Sequence, residues 1–250
     1  MRVVAIIQAR MNSSRLPGKV LEIVEGKPLI EWQIERLSLS RLIDEVIVAT
    51  SDTENDDPIV KLCKKNKIRF HRGSESDVLK RVTEAIKKFN AYIHVECFGD
   101  SPLVDPKIID EYIGFFIKNI KIYDFVSNTI HHTYPGGLEC SIYKGSTLAK
   151  VNKLISINDK HREHVGYNIR RFPKIFKLCS LKAPKHLNRK NISLELDEKK
   201  DLILLKKIFK HFNKKKKLYF SSEEILNYLD KNKKLIQINN QVKRRWKEFL

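Results

Sequence analysis

Through the first 130 residues of this 250-residue chain, short β-branched apolar runs alternate with longer segments whose apolar positions recur every three or four residues. Residues 3–8, 45–50, 68–71, 91–96 and 124–128 read as strands, and the stretches opening near Pro28, Asp57, Ser76 and Pro106 read as helices. This rhythm predicts an α/β fold with a largely parallel sheet covered on both faces. In such sheets ligands gather beyond the carboxyl ends of the strands, so the loops that follow the strands are where chemistry is expected. Beyond residue 130 the pattern loosens. Residues 138–143, 175–181 and 192–196 read as strands, 159–171 as a helix, and a further helix opens at Asp197 or Glu198. The last forty residues carry Lys214 to Lys217, Lys233 with Lys234, and Lys243, Arg244, Arg245 and Lys247; they read as one or two peripheral helices with a frayed tail. With no internal repeat and no Gly/Ser/Pro linker, the expected organisation is one domain over 1–212 and a basic helical extension over 213–250.

Composition agrees with a folded chain: 42% of residues are hydrophobic and 32% charged, which argues against wholesale disorder. No apolar run approaches the ~20 residues of a membrane span, and the start does not resemble a signal peptide, so a cytoplasmic location is expected. The formal charge of +19 is unevenly spread. Residues 1–125 hold 20 basic and 19 acidic side chains, against 29 and 11 in residues 126–250, so the excess lies in the second half. Lys outnumbers Arg 35 to 14, and Lys is a point charge poorly suited to bidentate recognition of bases. A solvated basic surface is therefore expected, with at most salt-sensitive, sequence-independent attraction to nucleic acid. Cys63, Cys97, Cys140 and Cys179 are scattered and form no C-x-x-C, which reads as reduced thiols.

The densest chemistry follows the first strand, in Gln8-Ala9-Arg10-Met11-Asn12-Ser13-Ser14-Arg15-Leu16-Pro17-Gly18-Lys19. Small residues let the backbone approach a ligand, and Arg10, Arg15 and Lys19 bring three positive charges to one loop, an arrangement suited to a polyphosphate. The loop is not a P-loop, because Ser13 stands where that motif needs Gly and Val20 where it needs Ser or Thr. From residues alone an ordinary basic surface loop stays open. Asp100, in a Gly-Asp-x-Pro turn after the strand at 91–96, can hold Mg²⁺ or simply cap its own turn. Asp197, after the run at 192–196, reads from its position as the N-cap of the helix that follows. His161 and His164 lie three apart with no further Cys or His at ligand spacing, so a zinc site is not expected.

The loop from Arg10 to Lys19 resembles the signature of the sugar cytidylyltransferases, the superfamily that includes 3-deoxy-manno-octulosonate and acylneuraminate cytidylyltransferases. Within it the chain is most similar to the spore coat polysaccharide biosynthesis protein F group, from the first strand to about residue 205. The landmarks in register are Gly26-Lys27-Pro28-Leu29-Ile30, Gly73-Ser74-Glu75-Ser76-Asp77-Val78-Leu79, Gly99-Asp100-Ser101-Pro102-Leu103-Val104-Asp105-Pro106, Ser127-Asn128, Tyr134-Pro135 with Gly137-Leu138, Arg162-Glu163-His164-Val165, and Leu196-Asp197. Gly136 and Glu139 stand where relatives usually carry Asp, and Asn12 where they carry a very small residue.

The resemblance implies a three-layer α/β/α, nucleotide-diphospho-sugar transferase-like (Rossmann-like) fold with a mostly parallel mixed sheet. It implies a Mg²⁺-dependent nucleotidyltransferase, homodimeric, that uses CTP to activate a sugar or sugar acid for surface polysaccharide and releases pyrophosphate. On this pattern Arg10, Lys19 and Asp100 are catalytic, and Ala9, Arg10, Arg15, Lys19, Ser74 and Asp100 contact the nucleotide. Asp100 and Asp197 would hold metal, and Glu139, Arg162, Glu163 and His164 would face the acceptor, although Arg162 and Glu163 could instead form a surface pair. Three alternatives remain at this point: a nucleotidyltransferase using GTP or UTP on a sugar 1-phosphate, a basic nucleic-acid-binding protein, and a degenerate relative that binds nucleotide without turnover. The neutral first half and the lack of any RNP, zinc-finger or basic-region signature weigh against the second. The intact Arg10, Lys19, Asp100 and Asp197 weigh against the third.

Overall fold

Val3, Val4, Ala5, Ile6 and Ile7 of the first strand, β1 (Val3–Gln8), are all buried, so neither of its faces meets water. Val3, Ala5 and Ile7 enter one hydrophobic cluster and Val4 and Ile6 another, the alternation that strand geometry imposes. The computed structural model describes residues 1–214 and 219–244. After β1 come a small hairpin of β2 (Ile23–Val24) and β3 (Lys27–Pro28), then α1 (Leu29–Leu37), β4 (Glu45–Ser51), α2 (Asp57–Lys65), β5 (Arg69–Gly73), α3 (Val78–Lys88), β6 (Ile93–Phe98) and α4 (Pro106–Lys118). The second half adds β7 (Phe125–Ser127), β8 (Ser141–Lys144), α5 (Gly145–Leu154), α6 (Val165–Arg170), β9 (Leu178–Ser180), α7 (Lys199–Asn213) and α8 (Ser222–Lys231).

Seven strands pair in the order β5-β4-β1-β6-β8-β7-β9. β1 runs parallel to β4 and β6, β4 to β5, and β7 to β9, while β8 is antiparallel to both of its neighbours. The sheet is therefore mixed and mostly parallel, as expected. Apolar faces of α1, α2, α4, α7 and α8 supply one cluster, and those of α3, α5 and α6 supply the other, which makes three layers. Among the described residues no helix is long and apolar enough to cross a membrane. Cys63, Cys97 and Cys140 are buried, Cys179 is partly exposed, and all four are free thiols.

Three details differ from the sequence reading. Residues 192–196 form no strand of the sheet: Ile192, Leu194 and Leu196 are buried, but the segment makes only an isolated bridge between Ser193 and Gly136. Gly137 permits this approach, with a φ of 89° and a position at which a Cβ would stand 2.7 Å from the Glu195 nitrogen. The helix expected over 159–171 breaks at His164, whose backbone is non-helical, into a 3₁₀ turn at Lys160–Glu163 and α6. Helix α5 has no counterpart in the sequence reading, because Gly145-Ser146-Thr147 reads locally as a loop. Of the two openings expected for the helix after residue 196, α7 takes the later, capped by Glu198 in a capping box with Asp201, which leaves Asp197 one residue outside the cap.

At the basic C-terminal end, α8 and a 3₁₀ stretch, Lys233–Ile238, follow residue 219, and Phe220, Ile225, Leu226 and Leu229 join the core cluster that also holds Val3 and Ala5. Tyr219 Oη and the Ser222 amide donate to the two oxygens of Asp105, at 2.9 and 2.6 Å. Lys215 to Lys217, Arg245, Lys247 and the rest of the expected frayed tail lie outside the described residues.

Candidate active site

The loop after β1 is shaped by its own backbone and by one buried carboxylate. The Ser13 and Gly18 amides both donate to the Met11 carbonyl, at 2.9 and 2.8 Å, and Gly18 takes a left-handed φ of 71°. The Met11 amide donates to Asp56 at 2.7 Å, and Asp56 also accepts from Thr50 Oγ1 and the Ser51 amide. Burial favours the neutral acid, but these donors outweigh it and hold Asp56 below the usual carboxylate range. Sequence reasoning passed over Asp56, because its partners lie on β4 and on the loop it anchors.

Lys19 is where the site closes. Its Nζ lies 3.0 Å from Asp100 Oδ2, 3.2 Å from Asp197 Oδ1 and 2.6 Å from the Leu196 carbonyl. The Leu196 amide in turn donates to the Asp100 carbonyl at 2.8 Å, so the turns bearing the two carboxylates are tied directly. Burial opposes the ammonium charge, yet Asp100 and Asp197 together raise the Lys19 pKa above its ordinary value. Arg15 pairs with Asp197 at 2.7 Å, Arg10 with Glu163, and Asn12 donates to Glu75 at 2.7 Å. Each cation of the loop thus rests on a carboxylate that a phosphate group could replace.

The convergence of two carboxylates on one ammonium also tests whether Mg²⁺ fits. Their oxygens share a single cation, and both are hard ligands. Among the described residues no group of three or more His, Cys, Asp or Glu is arranged to hold a metal. A site with two carboxylates suits Mg²⁺, which completes its shell with water and phosphate oxygens rather than with a full protein cage.

These groups border a cleft of about 370 Å³ beyond the carboxyl ends of β1 and β6. Ala9, Arg10, Arg15, Lys19, Asp100, Asp197, Glu139, Glu163 and His164 line it; Ser74 and Arg162 do not. The Ser74 hydroxyl accepts from the Asp77 amide at 3.1 Å, and its carbonyl accepts from Arg81 at 2.6 Å. The Arg162 side chain is buried against Asp77 (2.8 Å), Asn152 and the Ile155 carbonyl. Arg162 and Glu163 form no surface pair with each other, since the Glu163 carboxylate meets Arg10 instead. Glu139 accepts from the Gly137 amide at 2.7 Å, and burial together with nearby Glu195 raises its pKa well above the usual range. Burial lowers the pKa of His164, and that of His132, beside Arg170, falls to about 4.

The cleft also contains residues that the sequence reading did not single out: Glu96, Arg81, Arg170, His132 and Glu195. The available signal for Glu96 was a carboxylate placed inside an otherwise apolar strand pattern. It is 1% exposed, accepts from the Gly166 amide at 2.9 Å and from Gln8 at 3.2 Å, and burial pushes its pKa up to about 7. The folded state therefore binds a proton that the unfolded chain releases near pH 4.5, so Glu96 makes the protein lose stability as pH rises from about 4.5 to about 7. One proton held by the folded state alone gives a decline of roughly 1.4 kcal/mol for each step of one in pH. Glu96→Gln should flatten that decline and raise the melting temperature at pH 7. Denaturant melts from about pH 4.5 to about pH 7.5 check this; parallel curves for the two proteins would show that Glu96 ionises freely in the fold.

Comparison with known proteins supplies a context for this geometry. A family model described as Cytidylyltransferase matches residues 4–237. Uncharacterized protein MJ1063 of Methanocaldococcus jannaschii is 34% identical over 98% of this chain and 97% of its own length. Spore coat polysaccharide biosynthesis protein SpsF of Bacillus subtilis is 29% identical over 92% of this chain and 95% of its own. The structure of a cytidylyltransferase from Leptospira borgpetersenii superposes with a TM-score of 0.89 at 29% identity, covering 98% of this chain and all of that one. CMP:2-keto-3-deoxy-manno-octonic acid synthetase, solved with CTP, shares the fold at a TM-score of 0.64 and 17% identity, over 84% of this chain and 99% of that one.

Proposed function

We propose that this chain, which belongs to the cytidylyltransferase family, transfers the cytidylyl group of CTP to a sugar or sugar-acid acceptor destined for a surface polysaccharide. The observation that carries the reading is the meeting of Lys19, Asp100 and Asp197 at one point of the cleft, with Arg10 and Arg15 on the same loop. An acceptor oxygen attacks the α-phosphorus, the bond from that phosphorus to the bridging oxygen breaks, and pyrophosphate leaves. Such a transfer depends on positioning and charge stabilisation more than on covalent chemistry by the protein.

Arg10, Arg15 and Lys19 exchange their carboxylate partners for the β- and γ-phosphates and neutralise the departing pyrophosphate. Asp100 and Asp197, released from Lys19, would hold Mg²⁺, which would supply Lewis-acid stabilisation of charge at the reacting phosphate. Ala9 lets the backbone approach the nucleotide, and Ser74 is assigned to the loop bordering the base. Glu139, Glu163 and His164 face the acceptor, with Arg162 supporting their turn from beneath. CTP is favoured by the family description and by the structural neighbour solved with CTP. A role in polysaccharide synthesis is favoured by the name of the B. subtilis relative.

The test is pyrophosphate release with Mg²⁺, across four nucleoside triphosphates and a panel of sugar acids, neutral sugars and sugar phosphates. The expected result is release with CTP that depends on a sugar or sugar-acid acceptor. Preferential release with GTP or UTP on a sugar 1-phosphate would overturn this assignment of donor and acceptor.

A further inference from the structure

Residues 239–244 reach back from the C-terminal end to the edge of the cleft. The Arg244 side chain is 4% exposed, and its guanidinium grips Asp201 through two contacts, Nη2 to Oδ1 at 2.6 Å and Nη1 to Oδ2 at 3.0 Å. Its Nε lies 3.2 Å from Glu195, and its Nη1 lies 3.5 Å from Asp197 Oδ2. Asp201 is fully buried, and its Oδ2 accepts from the backbone amides of both Asp197 and Glu198, at 2.9 and 2.8 Å. Asn239 fastens the same assembly, donating to Asp201 Oδ1 at 2.8 Å and to the Ser193 carbonyl at 3.0 Å. Arg15 of the phosphate loop, already paired with Asp197, donates to the Lys243 carbonyl at 2.8 Å. One short segment therefore touches both the loop that carries the cations and the turn that carries the second carboxylate.

We propose that residues 239–244 are a strap belonging to the transfer site, with Arg244 as the positioning residue that orients Asp197 by holding Asp201 against the 197–198 backbone. The proposal rests on the reading of Asp197 as a metal ligand. Its physical logic lies in which contacts survive ligand arrival. Lys19 and Arg15 border the cleft and are the partners Asp197 gives up when phosphates enter. Asp201 and Arg244 do not line the cleft, and their paired contact persists. The turn then keeps its orientation after its mobile counter-charges have moved. The planar guanidinium fork holds both oxygens of Asp201 while its Nε reaches Glu195, a geometry that the compact ammonium of a lysine, with all its donors on one atom, does not reproduce.

The test uses Mn²⁺ as probe, titrated in the presence of CTP and followed by electron paramagnetic resonance of the free ion, on the full-length wild type, Arg244→Lys and Asp197→Asn. Loss of an orienting partner behind a metal ligand typically weakens metal binding by about tenfold to a hundredfold. Arg244→Lys should fall in that range, with kcat reduced and the KM for acceptor unchanged. Wild-type Mn²⁺ affinity in Arg244→Lys, beside weakened binding in Asp197→Asn, would overturn the strap and leave the metal reading standing. Wild-type affinity in Asp197→Asn would overturn the metal reading and the strap with it. Hydrogen exchange on the wild type keeps the proposal falsifiable even if Arg244→Lys does not fold: the Asp197 and Glu198 amides should be protected, and exchange at unprotected rates would overturn the strap.

Discussion

Asp100→Asn and Asp197→Asn should each lower turnover by about a hundredfold or more while leaving the protein folded. Asn matches Asp in size and in its capacity to accept a hydrogen bond, but removes the negative charge that would hold a cation at the reacting phosphate. Folding should survive because Asn keeps each side chain's hydrogen-bonding capacity, and the two turns are also held by backbone contacts, Leu196 to Asp100 and the 197–198 amides to Asp201. Asp197 lies one residue outside the cap of α7, a role that Glu198 fills, and the Asp100 side chain is 31% exposed. The paired measurement is melting temperature beside pyrophosphate release. Near-normal turnover in either variant would eliminate that residue as a metal ligand.

Lys19→Ala should weaken CTP binding by roughly tenfold to a hundredfold, corresponding to about 1.5 to 3 kcal/mol for a lost charge-assisted contact to phosphate. The ligand-free geometry adds a discriminating feature. Lys19 bridges Asp100 and Asp197, so its removal leaves two neighbouring carboxylates without their shared cation and should strengthen, not weaken, the binding of a divalent ion added alone. Calorimetry with CTP and Mg²⁺, and separately with Mn²⁺ alone, reads the two effects. CTP held as tightly as in the wild type would remove Lys19 from the phosphate site.

Much of the architecture was legible because it is written in short-range periodicity. The run Val3–Ile7 demands burial on both faces, and the alternation of such runs with amphipathic segments demands a covered, mostly parallel sheet. The reading weakened where local pattern and tertiary role diverge. Ile192, Leu194 and Leu196 alternate like a strand and are buried like one, yet their segment packs beside the sheet without joining it. His164 interrupts an apparently continuous helix, and α5 begins in a sequence that locally favours a turn.

The candidate site divides along the same line. The chain's own order of residues determined that a small-residue loop with three cations follows β1 and that a Gly-Asp turn follows β6, because both are contiguous motifs. Tertiary structure alone decided that Lys19 meets Asp100 and Asp197 across sequence separations of 81 and 178 residues, and that Arg162 turns inward to Asp77 while Glu163 faces Arg10. It also decided that Arg244 is buried among carboxylates rather than solvated with the other basic residues of the C-terminal end. The physical reason is that a charged side chain shows no sign in its neighbours of whether it will face water or an opposite charge. That depends on which distant segments the sheet and its covering helices bring within about 3 Å, the range in which a charge-assisted hydrogen bond offsets the cost of burial.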